Sequence, residues 1–303
     1  MSLSRRRFLK CASATGAAAL VARPVSAAAT ALRTGRTPAV LVDTTRCLGC
    51  RACEAACSEK NMLPSPAKAG DASVFETRRT TDVDTFTVVN RRGGPDLSSE
   101  PRYVKSQCMH CLDPGCASAC PAKALEKTFE GPVVYNPERC LGCRYCMLAC
   151  PFDIPRFEYE KASPYVRKCS FCADRQKQGL APACVEACPA GALQFGTRGE
   201  LVEEARTRIY QNPGKYVHHV YGENEVGGTS WLYVTDVPFE RLGFRTDLST
   251  TSAPELSRTA LAAVPFVLTL WPPLLMGLYT FSRRREEAAR AGAEESESSH
   301  AHK

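Results

Sequence analysis

Sixteen of the seventeen cysteines fall into four groups of four, and no other feature restricts the fold of this 303-residue chain as tightly. The first group is Cys47, Cys50, Cys53 and Cys57, and the third is Cys140, Cys143, Cys146 and Cys150, both with the pattern CxxCxxCxxxC. The second is Cys108, Cys111, Cys116 and Cys120, and the fourth is Cys169, Cys172, Cys184 and Cys188, where the middle gap lengthens to four and eleven residues. Three groups run into Cys-Pro, at Pro121, Pro151 and Pro189, while the first continues with Ser58. Two-residue gaps let a tight loop present three thiolates to one 4Fe-4S cubane while its backbone amides point at the sulfides. The fourth cysteine cannot reach that cube. It begins the helix leading away and ligates the neighbouring cluster, as in two-cluster ferredoxins, with the following proline at home in a first helical turn. Two groups thus exchange their last cysteines, and four groups predict two such units carrying four 4Fe-4S clusters.

Two other chemistries use many cysteines. Zinc sites take four ligands from two CxxC pairs and give no reason for a third cysteine two residues on or a fourth before proline. Disulfides suit an oxidising compartment, but cysteines three apart seldom meet the geometry of a bridge. His110, His218 and His219 are further candidate metal ligands, yet the cysteine count is already complete at four per cluster, so they are read as structural or interface residues.

Both ends of the chain point to a membrane. Ser4-Arg5-Arg6-Arg7-Phe8-Leu9-Lys10 precedes a mild apolar run, Ala12 to Ala22, and then Val25-Ser26-Ala27. A charged head, an apolar middle and a small-x-small end form an export signal over 1–28, and the head matches the twin-arginine type, which suits a protein exported already folded around its cofactor. Cys11 lies within this segment and is left out of the ligand count. Near the other end, Thr259 to Ser282 contains no charge and is followed by Arg283, Arg284 and Arg285. That length spans a bilayer, and the arginines mark the cytoplasmic side, so 258–285 is expected to anchor a body, 29–257, that lies outside. Residues 286–303, charged and small, are expected to form a disordered cytoplasmic tail. The formal net charge of +7 counts five basic residues of the signal; without them 34 basic face 32 acidic residues, or +2, and no nucleic-acid partner is called for.

Within the body the expected class is α+β, with short strands leading into the cysteine loops: Ala39 to Asp43, Arg102 to Lys105, Val133 to Asn136 and Tyr165 to Arg167. Gly49 and Gly142 fall inside the first and third loops, where backbone is expected close to a cluster. Asp71 to Glu100 reads as an inserted hairpin or loop. Thr197-x-x-Glu200 is a capping box opening a packing helix, Thr197 to Gln211, with Leu201, Ala205 and Ile209 on one face.

Four segments carry a family resemblance: QCMHCLDPGCASACPAKAL from Gln107, CLGCRYCMLACPFDIPRFEY from Cys140, CVEACPAGALQFGTRGEL from Cys184 and HVYGENEVGGTSWLYVTDVPFE from His219. The chain resembles the four-cluster ferredoxin subunits of membrane-bound molybdenum and nickel-iron oxidoreductases. The last segment and the two ends bring it nearest to the subunits of periplasmic hydrogenase-2, with formate dehydrogenase beta subunits as the alternative.

The resemblance implies two ferredoxin-like units, one from 39–60 with 165–198 and the other from 102–157. It implies one cluster on Cys47, Cys50, Cys53 and Cys188 and a second on Cys57, Cys169, Cys172 and Cys184. The third would sit on Cys108, Cys111, Cys116 and Cys150, and the fourth on Cys120, Cys140, Cys143 and Cys146. No catalytic residue is implied. The chain is expected to relay electrons between a periplasmic catalytic subunit, a hydrogenase or a formate dehydrogenase, and an integral quinone-reactive subunit of the inner membrane.

Overall fold

The computed structural model describes residues 35–66, 71–92 and 101–301. The expected export signal, 1–28 with Cys11, lies outside the described residues. The chain begins with β1 (Pro38–Asp43) and α1 (Ala52–Lys60), then forms an antiparallel hairpin of β2 (Thr87–Arg92) and β3 (Arg102–Gln107). Next come α2 (Gly115–Ser118), the paired strands β4 (Leu125–Lys127) and β5 (Val133–Tyr135), α3 (Tyr145–Leu148), and the paired β6 (Arg156–Phe157) and β7 (Val166–Arg167). The short helices α4 (Ala173–Gln176) and α5 (Ala183–Glu186) lead to β8 (Leu193–Thr197), α6 (Arg198–Gln211), β9 (Trp231–Val234) and α7 (Ala253–Ala301).

β1 is the central strand of a three-stranded sheet, antiparallel to β8 and parallel to β9. Its apolar run suits a strand covered on both faces, because successive side chains point to opposite sides. Ala39 and Leu41 pack with Leu201, Val202, Ala205 and Ile209 of α6, and with Leu232 and Val234 of β9. Val40 and Val42 face the other way, onto Phe171, Cys184, Leu193, Trp231 and Tyr233. The sheet therefore separates an ordinary helix-on-sheet core from the side that carries cysteines.

All four expected strands form, and residues 87–92 of the expected insertion pair with β3. The expected helix also forms, with Thr197 as its N-cap. The hydroxyl of Thr197 donates to Glu200 Oε2 at 2.7 Å and caps no backbone amide, so the two residues of the expected box meet side chain to side chain and not through the backbone amides. The sheet partners β8 and β9 carry no strong sequence signal. β8 includes Gly196 and borders a cysteine loop, and β9 is a four-residue strand that follows two glycines.

Among the described residues, one helix is long and apolar enough to cross a membrane: Ala253–Arg290, within α7. Pro265, Pro272 and Pro273 lie inside it without ending it. The helix continues through Ala301, which corrects the expectation of a disordered tail from 286 on. Alanine, glutamate and arginine favour helix there, and Arg283 Nε reaches Glu287 Oε1 one turn later at 3.0 Å. At its root, Ser252 Oγ donates to Asp113 Oδ2 at 2.5 Å, and Ala253 lies against Gly115 of α2.

Leu201 is 3 % exposed and wedged between α6 and β1. Leu201→Ala is predicted to cost about 2–5 kcal/mol. Tyr210→Ala, at a residue 79 % exposed on the same helix, should cost under about 0.5 kcal/mol. Anaerobic denaturant titration of the two variants measures both.

Candidate metal centre

The first and third cysteine groups are built alike. Asp43 and Asn136 each cap a single turn, Thr44–Arg46 and Pro137–Arg139, by accepting the amides of Thr45 and Glu138 at 3.0 Å. Each turn delivers its first cysteine, Cys47 or Cys140, into a loop that passes through left-handed backbone at a glycine and then at an arginine. Gly49 and Gly142 both have φ 69°, and Arg51 and Arg144 have φ 62° and 61°. The glycines are thus required by backbone conformation. A Cβ at Gly142 would have its nearest neighbour, Phe157, 3.8 Å away, while one at Gly49 would meet the Tyr103 ring at 2.5 Å.

The sixteen cysteines of the four groups form no disulfides, and twelve of them line three shared cavities. Cys47, Cys50 and Cys53 line one cavity together with Cys188 of the fourth group. Cys169, Cys172 and Cys184 line a second with Cys57. Cys140, Cys143 and Cys146 line a third with Cys120. Cys108, Cys116 and Cys150 lie close enough to Cys111 to raise its thiol pKa further, beyond the larger effect of burial. Each set joins three cysteines of one loop to the last cysteine of another. α1, which carries Cys57, lies against α5, which ends just before Cys188, and α2 and α3, which end just before Cys120 and Cys150, lie against each other.

Burial pushes the thiols of Cys53 and Cys116 up to about 12 and those of Cys57, Cys146 and Cys150 up to about 11. Without a cation these groups are neutral thiols at physiological pH; to hold them as thiolates, each cavity must receive positive charge. Among the described residues, no three cysteine, histidine or acidic side chains gather closely enough for a single metal ion. Zinc would draw its sulfurs to about 2.3 Å. Four thiols spread around a cavity fit a cubane, whose four irons are themselves spread apart. Amide donors reach the sulfurs as well: Phe171 N–H donates to Cys169 Sγ at 3.3 Å and Ala124 N–H to Cys120 Sγ at 3.2 Å. Such bonds tune the potential of an iron–sulfur cluster.

Other residues around these sets have no motif. Glu54, 1 % exposed, accepts from the Val89 amide at 2.5 Å and binds both Arg51 and Arg79, which ties the first loop to the β2–β3 hairpin. His110 stacks on Phe171 with ring centroids 4.9 Å apart, and its Nδ1 accepts the Val133 amide at 3.0 Å. Burial, aided by Lys168 and Lys127, holds its pKa well below the usual histidine range, so it is neutral. Lys105 reaches the first two cavities. Burial acts to discharge its ammonium, but Cys184 and Cys53, when held as thiolates, outweigh that and lift its pKa.

The segment from His219 is a structural turn. Glu225 accepts the Gly222 amide and pairs with His219 Nε2, both at 2.6 Å, and Thr229 Oγ1 donates to Trp231 O at 2.7 Å, fixing the start of β9. The ring of His218 lies on the surface, its Nε2 3.3 Å from Pro213 O.

Emptied of metal, the four sets would leave clustered, buried thiols around unfilled space, a poor substitute for a core. Anaerobic chelation of iron is therefore predicted to make the body rapidly cleavable in limited proteolysis. Resistance equal to that of the iron-loaded protein would contradict this.

A 4Fe-4S dicluster domain model matches residues 100–198. A protein of Nitratidesulfovibrio vulgaris is 49 % identical over 295 residues, covering 95 % of this chain and 79 % of the relative. The hydrogenase-2 operon protein HybA of Escherichia coli O157:H7 is 36 % identical over 276 residues, 79 % of this chain and 83 % of the relative. The formate dehydrogenase-O iron-sulfur subunit of Escherichia coli K12 is 37 % identical over 249 residues, 78 % and 77 % of the two chains. With its cysteine loops arranged as above, the chain belongs to the family of 4Fe-4S iron–sulfur subunits that includes HybA and the iron-sulfur subunits of formate dehydrogenases.

Proposed function

We propose that this chain is the electron-transfer subunit of a membrane-bound oxidoreductase and holds four 4Fe-4S clusters as two interlocked pairs. The observation that carries the proposal is the meeting of each loop's three cysteines with a cysteine from a distant loop. In this reading Cys47, Cys50, Cys53 and Cys188 hold one cluster, and Cys57, Cys169, Cys172 and Cys184 hold its partner. Cys108, Cys111, Cys116 and Cys150 hold a third, and Cys120, Cys140, Cys143 and Cys146 hold the fourth. Bound there, the clusters supply one-electron redox chemistry and no bond-making on a substrate.

The protein's own contribution is to fix the clusters in a row, exclude water from them and set their potentials. The root of α7 rests on α2, which carries Cys116. This supports a membrane end at the second unit and a catalytic end at the first. The arginines after the span support an orientation with the cysteine-rich body in the periplasm. Electrons then pass between a periplasmic catalytic subunit, read as a nickel-iron hydrogenase, and an integral quinone-reactive subunit. The nearly equal identity to a formate dehydrogenase subunit, 37 % against 36 % for HybA, supports formate dehydrogenase as the second candidate for the catalytic partner.

The anaerobically purified protein is predicted to contain about sixteen iron atoms, four per cubane, and to show no hydrogen or formate oxidation by itself. Iron near zero with stoichiometric zinc would overturn the cluster reading. Cys188→Ser should damage the cluster held by Cys47, Cys50 and Cys53, seen as loss of one electron paramagnetic resonance (EPR) component and about four irons. Loss confined to the cluster of Cys169 and Cys172 would overturn the crossed assignment.

A further inference from the structure

Lys105 lies on β3, 2 % exposed, and no lysine or arginine among the described residues is more enclosed. Its Nζ donates to Thr87 Oγ1 at 2.5 Å and to Gln107 Oε1 at 3.0 Å, and sits 4.6 Å from the centre of the Trp231 ring. Both acceptors are neutral. A buried ammonium without an anion carries a large desolvation cost, and proteins meet that cost by pairing the charge. Arg51 and Arg79 follow this rule through Glu54. Lys168, the next most buried lysine, donates to the carbonyls of Val133 and Cys169. Lys105 has no carboxylate in these contacts, and its one carbonyl acceptor is the side-chain amide of Gln107.

What surrounds Lys105 is sulfur. It lines the cavity of Cys47, Cys50, Cys53 and Cys188 and also the cavity of Cys57, Cys169, Cys172 and Cys184. A cubane held by four thiolates carries net negative charge, which would supply the missing anion on both sides. The lysine is also held in place. Gln107 Nε2 donates to Tyr233 Oη at 2.7 Å, and Tyr233 Oη in turn donates to Lys105 O at 2.9 Å, so the β2–β3 hairpin and β9 fix its position from two directions.

We propose that Lys105 is a potential-setting residue shared by the two clusters of the first unit. Its fixed positive charge lies between the two cysteine sets, favours an added electron on either, and raises both midpoint potentials together. The electron comes from the redox partner, and no proton is taken up or released at Lys105. This proposal rests on the ligand sets given under Proposed function.

The test is an EPR-monitored redox titration of the full-length, iron-loaded protein in detergent, comparing wild type with Lys105→Met and Lys105→Arg. Cys188→Ser identifies which signals belong to the first unit. The expected result is that Lys105→Met keeps its iron, shifts two midpoint potentials to more negative values and moves the other two less. Lys105→Arg should restore potentials near those of wild type. Full iron with all four potentials unchanged, or all four moved equally, overturns the proposal. If Lys105→Met loses the first unit's iron while Lys105→Arg keeps it, the positive charge is required for those clusters, which supports the proposal. If both variants lose that iron, Lys105 acts by packing and the proposal fails. Failure of the ligand sets is a separate result: the wild-type protein itself would then show fewer than four clusters, or Cys188→Ser would remove the wrong one.

Discussion

The structure depends on the geometric limit that a tight cysteine loop places three thiols around one point and sends the fourth away. The fourth must be supplied by another loop, so each set of four joins distant parts of the chain. Cys188 meets Cys47, Cys50 and Cys53, and Cys57 meets Cys169, Cys172 and Cys184. This exchange explains why α1 and α5 lie side by side, and why β1 and β8, which lead into and out of those loops, pair in one sheet. It also explains how the nine short strands and mostly one-turn helices among the described residues make a body at all. Hydrophobic burial covers both faces of the sheet, aliphatic under α6 and aromatic around Phe171, Tyr221, Trp231 and Tyr233, and the cysteine sets adjoin the second of these.

A body organised this way is electrostatically demanding. Its thiols are pushed up by burial, so only a positively charged occupant makes them good ligands. A 4Fe-4S cubane held there by four thiolates would in turn be negative, which suits the cations buried beside the cysteine sets. Arg51 and Arg79 share the carboxylate of Glu54, whereas Lys105 has neutral hydrogen-bond acceptors and the Trp231 ring and lines both cysteine cavities. The contrast separates a cation used to fix a loop from one placed where its charge is felt by the sites on both sides.

Much of this plan could be read in the sequence because cysteine spacing constrains backbone directly. The strands at 39–43, 102–105, 133–136 and 165–167 were legible because they are β-branched or apolar runs leading into cysteine loops. β8 and β9 were not, since Gly196 and the two glycines before Trp231 obscure them and their pairing with β1 is long-range. Spacing also identifies which three thiols share a loop, but which loop supplies the fourth came only through family resemblance. Composition misled in the tail, where local helix propensity carries α7 on to Ala301. Glu54, Lys105 and Phe171 could not be found by pattern. Their importance comes from burial between loops far apart in sequence, and a lone lysine in a strand carries no such mark.

The central claim, that the clusters are held by exchanged cysteines, is tested most directly by an experimental density map of the iron-loaded protein in its membrane complex. The account predicts four cubane densities, with Cys188 Sγ bonded to the cluster of Cys47, Cys50 and Cys53, and Cys57 Sγ to that of Cys169, Cys172 and Cys184. A map in which each group of four closes on its own cluster, or in which any of the four sets lacks one, would contradict it.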